Sequence, residues 1–270
     1  MWPSQNVGAH RRIRRKCGVD PSVSSKYTNW LLEFINSNAV YAALDVGCGA
    51  SAITIELRQR LGSRTLIGAI DIDKRAVRRA GCINGVDAAR ADIARLPYPD
   101  GAFDLVVAGH VLYYPEDSMV WLCELRRVMC RGATLLATTN SANSGRRLLD
   151  LHVEACQRAG EMAMARRAMD PTARDRFTLE NGAPQLRQLF STVSSRFRDE
   201  TLTFRSVDSA HDIYLQSLFA RGASPGASER ELGVLASKLA PHMRTLLMSV
   251  ADTGGEISVP RRSGCFIARI

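Results

Sequence analysis

The chain has 270 residues, of which 46% are apolar and 23% charged, a balance that excludes a disordered chain and indicates a globular protein with a large core. No apolar stretch approaches the ~20 residues that span a bilayer, and residues 1–16 lack the apolar centre of a signal peptide, so we expect no membrane segment and a cytoplasmic protein. The seven cysteines are scattered without a Cys-x-x-Cys pair, which disfavours a disulfide framework and a zinc site, and we expect no metal.

Basic residues are densest near the start of the chain, in the run from His10 to Lys16. We predict that residues 1–24 form a flexible basic arm and that residues 25–270 form one domain. A net charge of +9 is typical of proteins that bind nucleic acid, but no aromatic RNA-binding motif accompanies the arm. The sequence therefore disfavours nucleic acid as the partner.

The first half of the chain alternates between strands and helices. An amphipathic helix is predicted at 25–36, and continuous apolar runs predict strands at 40–45, 65–72, 104–108 and 133–138. Helices are predicted between them, at 51–61, 74–81 and 117–130. This alternation is typical of a doubly wound, Rossmann-like α/β sheet whose parallel strands are covered on both faces.

The last third is organised differently. It predicts helices at 146–169, 184–190, 208–220 and 228–251, with strands at 190–204 and 256–270. We interpret the insertions at about 143–180 and 206–252 as a helical lid that caps the substrate site. His152 and His211 are interpreted as ordinary histidines on helix surfaces.

The segment Leu-Asp-Val-Gly-Cys-Gly at 44–49 carries the clearest functional signal. Asp45 stands at the end of the first strand, and Gly47 and Gly49 permit a tight turn directly before a helix. Such a turn lets a ligand lie against the backbone.

The spacing of further carboxylates narrows the ligand. Asp71 ends the second strand, where a carboxylate can bind ribose hydroxyls, and Asp92 lies where an adenine edge could be read. The turn lacks the third glycine of a dinucleotide fingerprint, and Asp45 would repel a diphosphate but suits a cationic amino acid. The three carboxylates together suit S-adenosylmethionine, which has an amine, a ribose and an adenine but no phosphate.

Four sequence blocks, in order and at these spacings, carry a family resemblance: 44–49, 68–73, 91–107 and 124–133. With them the chain resembles the class I S-adenosylmethionine-dependent methyltransferases, in particular their broad small-molecule (type 11-like) group. The resemblance covers about 25–140. Ser51 stands where a third glycine is commonest, and Cys130-Arg131-Gly132 replaces the usual Lys-Pro-Gly.

The resemblance implies a seven-stranded sheet, mostly parallel with an antiparallel C-terminal strand, and a role for each site residue. Asp45 approaches the methionine amine, and Gly47, Cys48 and Gly49 form the turn beneath it. The other cofactor-binding residues are Asp71 for the ribose, Ile72 and Ile93 beside the adenine, Asp92 for its amino group, and His110 beside the sulfonium. Tyr27 either reaches over the cofactor or packs in the core.

Methyl transfer requires alignment of the acceptor and a base only if the acceptor arrives protonated. His110 is the catalytic candidate, because an imidazole titrates near neutrality. The resemblance therefore predicts methyl transfer to the N or O of a small metabolite, in antibiotic or other natural-product biosynthesis, with S-adenosylhomocysteine as the second product. Two alternatives stay open: an RNA methyltransferase that uses the basic arm, and a non-catalytic S-adenosylmethionine-binding protein. We expect a monomer or a homodimer.

Overall fold

A computed structural model describes residues 21–170, 176–217 and 229–270, with only the backbone at 21–25, 216–217 and 229. Most of the predicted basic arm and the chain between the helices predicted at 208–220 and 228–251 therefore lie outside the described residues. Within the described residues, no helix has the length and apolar character that crossing a membrane requires.

The chain divides into two compact units, which we name by their content. The sheet unit comprises, in its described parts, the segments within Asp20–Ser141, Asp175–Arg198 and Ser263–Ile270. The helical unit comprises, in its described parts, the segments within Ala142–Arg174 and Asp199–Arg262. The prediction of a single domain over 25–270, with the helical insertions as a substrate cap, stays a prediction.

A seven-stranded sheet, most of it in the sheet unit, has the strand order β3-β2-β1-β4-β5-β7-β6. Its strands are β1 (Ala42–Val46), β2 (Leu66–Asp71), β3 (Val86–Arg90), β4 (Phe103–Gly109), β5 (Met129–Asn140), β6 (Thr192–Phe204) and β7 (Ile257–Arg269). The first five strands pair in parallel, and β7 runs antiparallel to β5. The predicted Rossmann-like fold is confirmed.

Helices connect these strands and cover the sheet. They are α1 (Pro21–Leu32), α2 (Ala52–Leu61), α3 (Lys74–Ala80), α4 (Ser118–Val128) and the short α7 (Gly182–Leu186). The central strands read as continuous apolar runs because they are buried on both faces: Leu44, Val106 and Leu135 are each fully buried. The outermost strand, β3, was not predicted, since its sequence Val-Asp-Ala-Ala-Arg is short, polar and half-exposed.

The helical unit contains α5 (Arg146–Arg158), α6 (Met162–Met169), α8 (Val207–Ser217) and α9 (Glu229–Val250). The prediction of one helix over 146–169 is wrong, because Gly160 adopts a left-handed φ of +76° and separates α5 from α6. Apolar side chains such as Leu151, Leu239 and Leu247 give this unit its own buried core.

Candidate active site at the carboxyl edge of the sheet

The glycine turn after β1 has a geometry that glycine alone accommodates easily. Gly47 and Gly49 have φ values of +68° and +54°. A Cβ atom on Gly47 would lie 2.9 Å from Cγ2 of Val111, which is too close for any side chain. The turn therefore presents bare backbone immediately before α2 begins at Ala52.

Two hydrogen bonds tie this turn to the neighbouring strand. The Cys48 amide donates to the Ile70 carbonyl at 2.9 Å, and the Gly49 amide donates to Oδ2 of Asp71, also at 2.9 Å. Cys48 is buried and packs against Ala69, so it fills space below the turn. Gly49 and Asp71 are 22 residues apart in the sequence but are joined directly by this hydrogen bond.

Ser51 lies at the start of α2 in a left-handed conformation, with φ +64°. Ser51 thus replaces the usual third glycine at a position whose left-handed backbone glycine adopts most easily. The Ser51 side chain is fully buried, and its hydroxyl has no hydrogen-bond partner among the described residues.

Asp45 is a buried carboxyl group that is only half satisfied. Oδ2 accepts a hydrogen bond of 2.5 Å from the Thr54 hydroxyl, whereas Oδ1 has no partner in the described part of the chain. Burial raises the pKa of Asp45 to about 7, the Thr54 hydrogen bond opposes this rise, and the charge of Asp71 adds to it. A cationic group placed beside Oδ1 would donate a hydrogen bond to this oxygen and would favour the deprotonated, charged form of the carboxyl. The site therefore fits the amine of S-adenosylmethionine.

Asp71 connects the ends of three strands. Besides holding Gly49, it accepts a hydrogen bond of 2.9 Å from the Asp73 amide through Oδ1. Its backbone carbonyl accepts from the Ala91 amide at 3.3 Å, which brings the segment after β3 to the same edge. The Asp71 side chain is itself buried, so these hydrogen bonds are shielded from water.

The segment after β3 contains the predicted adenine contacts. Asp92 is exposed and accepts a hydrogen bond of 2.9 Å from the Ala94 amide, which closes a local turn. Ile93 is buried in the core of the sheet unit, whereas Ile72 is half-buried. The roles of these residues toward an adenine stay predictions.

Two residues that sequence reasoning did not single out hold this segment in place. Glu124 accepts from the Leu96 amide at 2.7 Å, and Arg127 donates to the Tyr98 carbonyl at 2.9 Å and pairs with Asp100 at 2.6 Å. The hydrogen bond from Arg127 lowers the pKa of Glu124. Their i, i+3 spacing on α4, inside the fourth block of the resemblance, was the available signal.

His110 directly follows β4 and adopts a strained φ of +53°. Its amide donates to the carbonyl of Thr138, at 3.2 Å, and to its hydroxyl, at 3.0 Å. The imidazole Nε2 lies 2.8 Å from Oη of Tyr27, which α1 supplies. The ring of Tyr113 lies 6.4 Å from the imidazole, between ring centres. Tyr27 thus makes a hydrogen bond to His110, the catalytic candidate. We had expected Tyr27 either to reach over the cofactor or to pack in the core, and neither expectation included this contact.

The structure corrects the expectation for His152. This residue is fully buried in the helical unit, where Nδ1 lies 2.8 Å from Oη of Tyr214. The signal was present in the sequence, because His152 shares a helical face with Leu148, Leu151 and Cys156. His211 is half-buried and its Nε2 lies 2.9 Å from the Ala240 carbonyl.

The predicted cofactor residues therefore converge at one place. The ends of β1, β2, β3 and β4 bring the glycine turn, Asp45, Asp71, the Asp92 segment and His110 to the carboxyl edge of one sheet, where open α/β sheets bind ligands. Across the described residues, no cluster of histidine, cysteine, aspartate and glutamate could hold a metal ion.

Comparison with known proteins gives a family match over the segment that contains these residues. The family described as "Methyltransferase domain" matches residues 44–137. Ajmaline N-methyltransferase of Rauvolfia serpentina is 31% identical over 100 residues, which are 34% of this chain and 34% of that protein. The malonyl-[acyl-carrier protein] O-methyltransferase of Halorhodospira halophila is 35% identical over 100 residues, 35% of this chain and 34% of that protein.

The fold has solved counterparts. An S-adenosylmethionine-dependent methyltransferase from Archaeoglobus fulgidus superposes with a TM-score of 0.54 at 17% identity, covering 95% of this chain and 97% of the other. The chain spans only part of the length of these curated relatives. It covers 34% of the ajmaline enzyme and 40% of a Schizosaccharomyces pombe methyltransferase. The match to the methyltransferase domain implies S-adenosylmethionine as the cofactor.

Proposed function

From the premise that the chain has the class I methyltransferase fold with a methyltransferase domain over residues 44–137, we propose that it transfers a methyl group from S-adenosylmethionine to the N or O of a small metabolite. The observation that carries the proposal is the half-satisfied Asp45 carboxyl beside the bare glycine turn. When bound, the cofactor supplies a methyl carbon already activated by the sulfonium.

The residues of the chain then have distinct tasks. Asp45 binds the amine, Asp71 binds the ribose hydroxyls while it holds the turn, and the Asp92 segment binds the adenine. His110 lies beyond the end of β4 and can accept a proton from the acceptor. The protein thus mainly aligns the reacting groups and excludes water.

Three of the described arginines support a small acceptor over RNA. Arg127 and Arg146 use their guanidinium groups in ion pairs within the protein, and Arg147 donates to backbone carbonyls. These side chains are therefore engaged in the fold rather than arrayed along a surface for phosphates. The basic run from His10 to Lys16 lies outside the described residues. Natural-product biosynthesis and a cytoplasmic location stay predictions.

Three measurements test the proposal. Equilibrium binding of S-adenosylmethionine and S-adenosylhomocysteine tests the cofactor; no binding of either would end the proposal. Release of S-adenosylhomocysteine over a panel of small acceptors separates an enzyme from a non-catalytic binder. RNA binding measured over a salt series, with turnover on the same RNA, tests the RNA alternative; steep salt dependence with turnover would replace the small metabolite as substrate.

A further inference from the structure

Arg176 is a half-buried residue of the sheet unit, and the fold uses only part of its guanidinium group. Its Nη1 donates to the Tyr114 carbonyl at 3.1 Å, and the side chain has no further hydrogen bond or ion pair among the described residues. The buried side-chain atoms that lack a partner do not include its nitrogens, so its remaining N–H groups reach solvent. Arg127, by contrast, uses all three of its side-chain nitrogens in hydrogen bonds within the fold. Arg176 is therefore a cation whose donors stay available to a ligand.

The segment that carries Arg176 is anchored at the end of β5. Phe177 is fully buried, and its ring lies 5.8 Å from the ring of Phe266, between centres. The Phe177 carbonyl accepts a hydrogen bond of 2.7 Å from the Thr139 hydroxyl, and the Arg176 carbonyl accepts one of 3.0 Å from Nε2 of Gln185. The backbone of Arg176 is thus fixed before any ligand arrives, which lowers the entropy that a ligand must overcome.

The contact with Tyr114 places the guanidinium group beside the loop that follows β4. The Tyr114 amide donates to the Val111 carbonyl at 3.2 Å, and Val111 is the residue that a Cβ atom on Gly47 would meet at 2.9 Å. A short series of contacts therefore leads from the glycine turn to Arg176. A methyl acceptor must reach this same edge of the sheet, where the cofactor binds.

Charges of opposite sign occupy different parts of this edge. In the strand order β2-β1-β4-β5, Asp45 and Asp71 belong to β1 and β2, whereas Arg176 contacts the loop after β4 and its segment is bonded to the end of β5. The acidic part suits the cationic amine of the cofactor. An anion at Arg176 would be attracted there and kept apart from the two carboxyl groups that would repel it.

We propose that Arg176 binds a carboxylate of the methyl acceptor, so that the substrate is a small organic acid methylated at an N or O atom elsewhere in the molecule; this rests on the proposed function. A planar guanidinium group forms paired hydrogen bonds with a carboxylate, and one guanidinium neutralises the single charge of that group. A phosphate dianion would require a second cation. The carboxylate is recognised and not methylated, because these hydrogen bonds stabilise its charge and make its oxygens less reactive.

The test compares acceptors that differ only in the carboxylate: 4-hydroxybenzoate with 4-hydroxybenzamide, anthranilate with 2-aminobenzamide, and glycine with glycinamide. Release of S-adenosylhomocysteine by the full-length protein gives kcat/KM, and calorimetry on protein saturated with S-adenosylhomocysteine gives the Kd of each compound. We expect the wild type to prefer the acid of at least one pair by roughly tenfold to a hundredfold, the value of hydrogen bonds to a charged group. Arg176→Gln should remove most of this preference and leave the Kd for S-adenosylhomocysteine unchanged.

Two further variants show whether the charge itself is recognised. Arg176→Lys keeps the charge but cannot form the paired hydrogen bonds, so it should lower the preference measurably and by less than Arg176→Gln. Arg126→Gln is the matched control: Arg126 is also half-buried and donates to a backbone carbonyl, that of Leu189, at 3.1 Å. This substitution removes the same charge and the same kind of hydrogen bond, and it should leave the preference for the acid unchanged.

Each outcome decides the inference. A preference for the acid that persists in Arg176→Gln overturns it, and so does a wild type that binds S-adenosylhomocysteine but none of the acids. An equal loss for the acid and the amide also overturns it, since Arg176 would then only hold the Tyr114 loop. If Arg176→Gln does not fold, an unchanged preference in Arg176→Lys overturns it instead. Absence of S-adenosylhomocysteine binding in the wild type is a different result, which removes the proposed function.

Discussion

The carboxyl edge of the sheet and the interior of the helical unit both bury polar side chains, but they satisfy them differently. In the helical unit, His152 and Tyr214 are buried against each other with a contact of 2.8 Å, and no buried side-chain atom in its described residues lacks a partner. At the sheet edge, Asp45 and Ser51 each bury an oxygen with no partner among the described residues. The only non-glycine residues with positive φ in the described chain, Ser51 and His110, also lie at that edge.

This difference separates residues that are arranged for a ligand from residues that stabilise the fold. Strain and unsatisfied polar atoms each cost free energy of about 1–3 kcal/mol, and strained residues cluster at functional sites. Substitutions at the sheet edge should therefore change ligand affinity, whereas substitutions in the helical unit should change stability and leave cofactor affinity alone.

The largest expected effect is on affinity at Asp71. Asp71→Ala removes the predicted ribose acceptor and the acceptor of the Gly49 amide, so we expect the Kd for S-adenosylmethionine to rise by about a hundredfold, near 2.7 kcal/mol. Isothermal titration calorimetry measures this change. Asp73→Ala is the matched control: Asp73 only caps α3, through the Arg75 amide at 2.9 Å, and its loss should cost about 1 kcal/mol of stability without weakening binding. An unaltered Kd for Asp71→Ala would remove the cofactor assignment.

The next effect tests the helical unit. Tyr214→Phe removes the hydroxyl that bonds the buried His152, so we expect the free energy of unfolding to fall by about 2 kcal/mol, while the Kd for S-adenosylmethionine stays the same. Denaturant unfolding and calorimetry measure the two quantities. Tyr98→Phe offers the contrast: the Tyr98 hydroxyl is buried without a partner among the described residues, so its removal should not destabilise the protein. A weakened Kd in Tyr214→Phe would mean that the helical unit contributes to cofactor binding.

A third effect concerns pH and Asp45, whose pKa is raised from 3.8 to about 7 in the ligand-free protein. Because the folded state then holds a proton that the unfolded state has lost, this group's contribution to stability declines as the pH rises from about 4 to about 7. A cationic amine favours the charged carboxylate, so binding below pH 7 releases a proton and affinity should rise by up to about tenfold per pH unit. Above about pH 8 an α-amine loses its own charge, and the gain should end.

Calorimetric titrations from pH 5.5 to 8.5 in buffers of different ionisation enthalpy measure both the affinity and the released proton. Asp45→Asn is the control, since an amide cannot titrate and should abolish the pH dependence below 7. A wild-type affinity that is flat between pH 5.5 and 7 would show that Asp45 does not meet the amine.

The same contrast explains what the sequence could and could not predict. The turn, Asp45 and Asp71 were predictable because their roles depend on backbone conformation and on position at a strand end, which short motifs encode. The hydrogen-bond partners of Asp45 and His110 were not: Thr54 reaches Asp45, and Tyr27 and Thr138 reach His110, from elements whose packing only the folded chain defines. The edge strand β3 was missed for a related reason, since a half-exposed strand lacks the continuous apolar pattern of the central strands.

The smallest expected effect, and the one that discriminates most finely, is at Ser51. A side chain in the left-handed region costs about 1–2 kcal/mol and a buried hydroxyl without a partner adds to that cost, whereas glycine loses about 0.5–1 kcal/mol in backbone entropy. We therefore expect Ser51→Gly to raise the free energy of unfolding by about 1 kcal/mol, as denaturant unfolding would measure. If the ligand uses only the backbone of the turn, its Kd should not change. A stabilised protein with weaker binding would instead assign the Ser51 hydroxyl to the ligand, and the strain at this residue would then belong to recognition and not only to the shape of the turn.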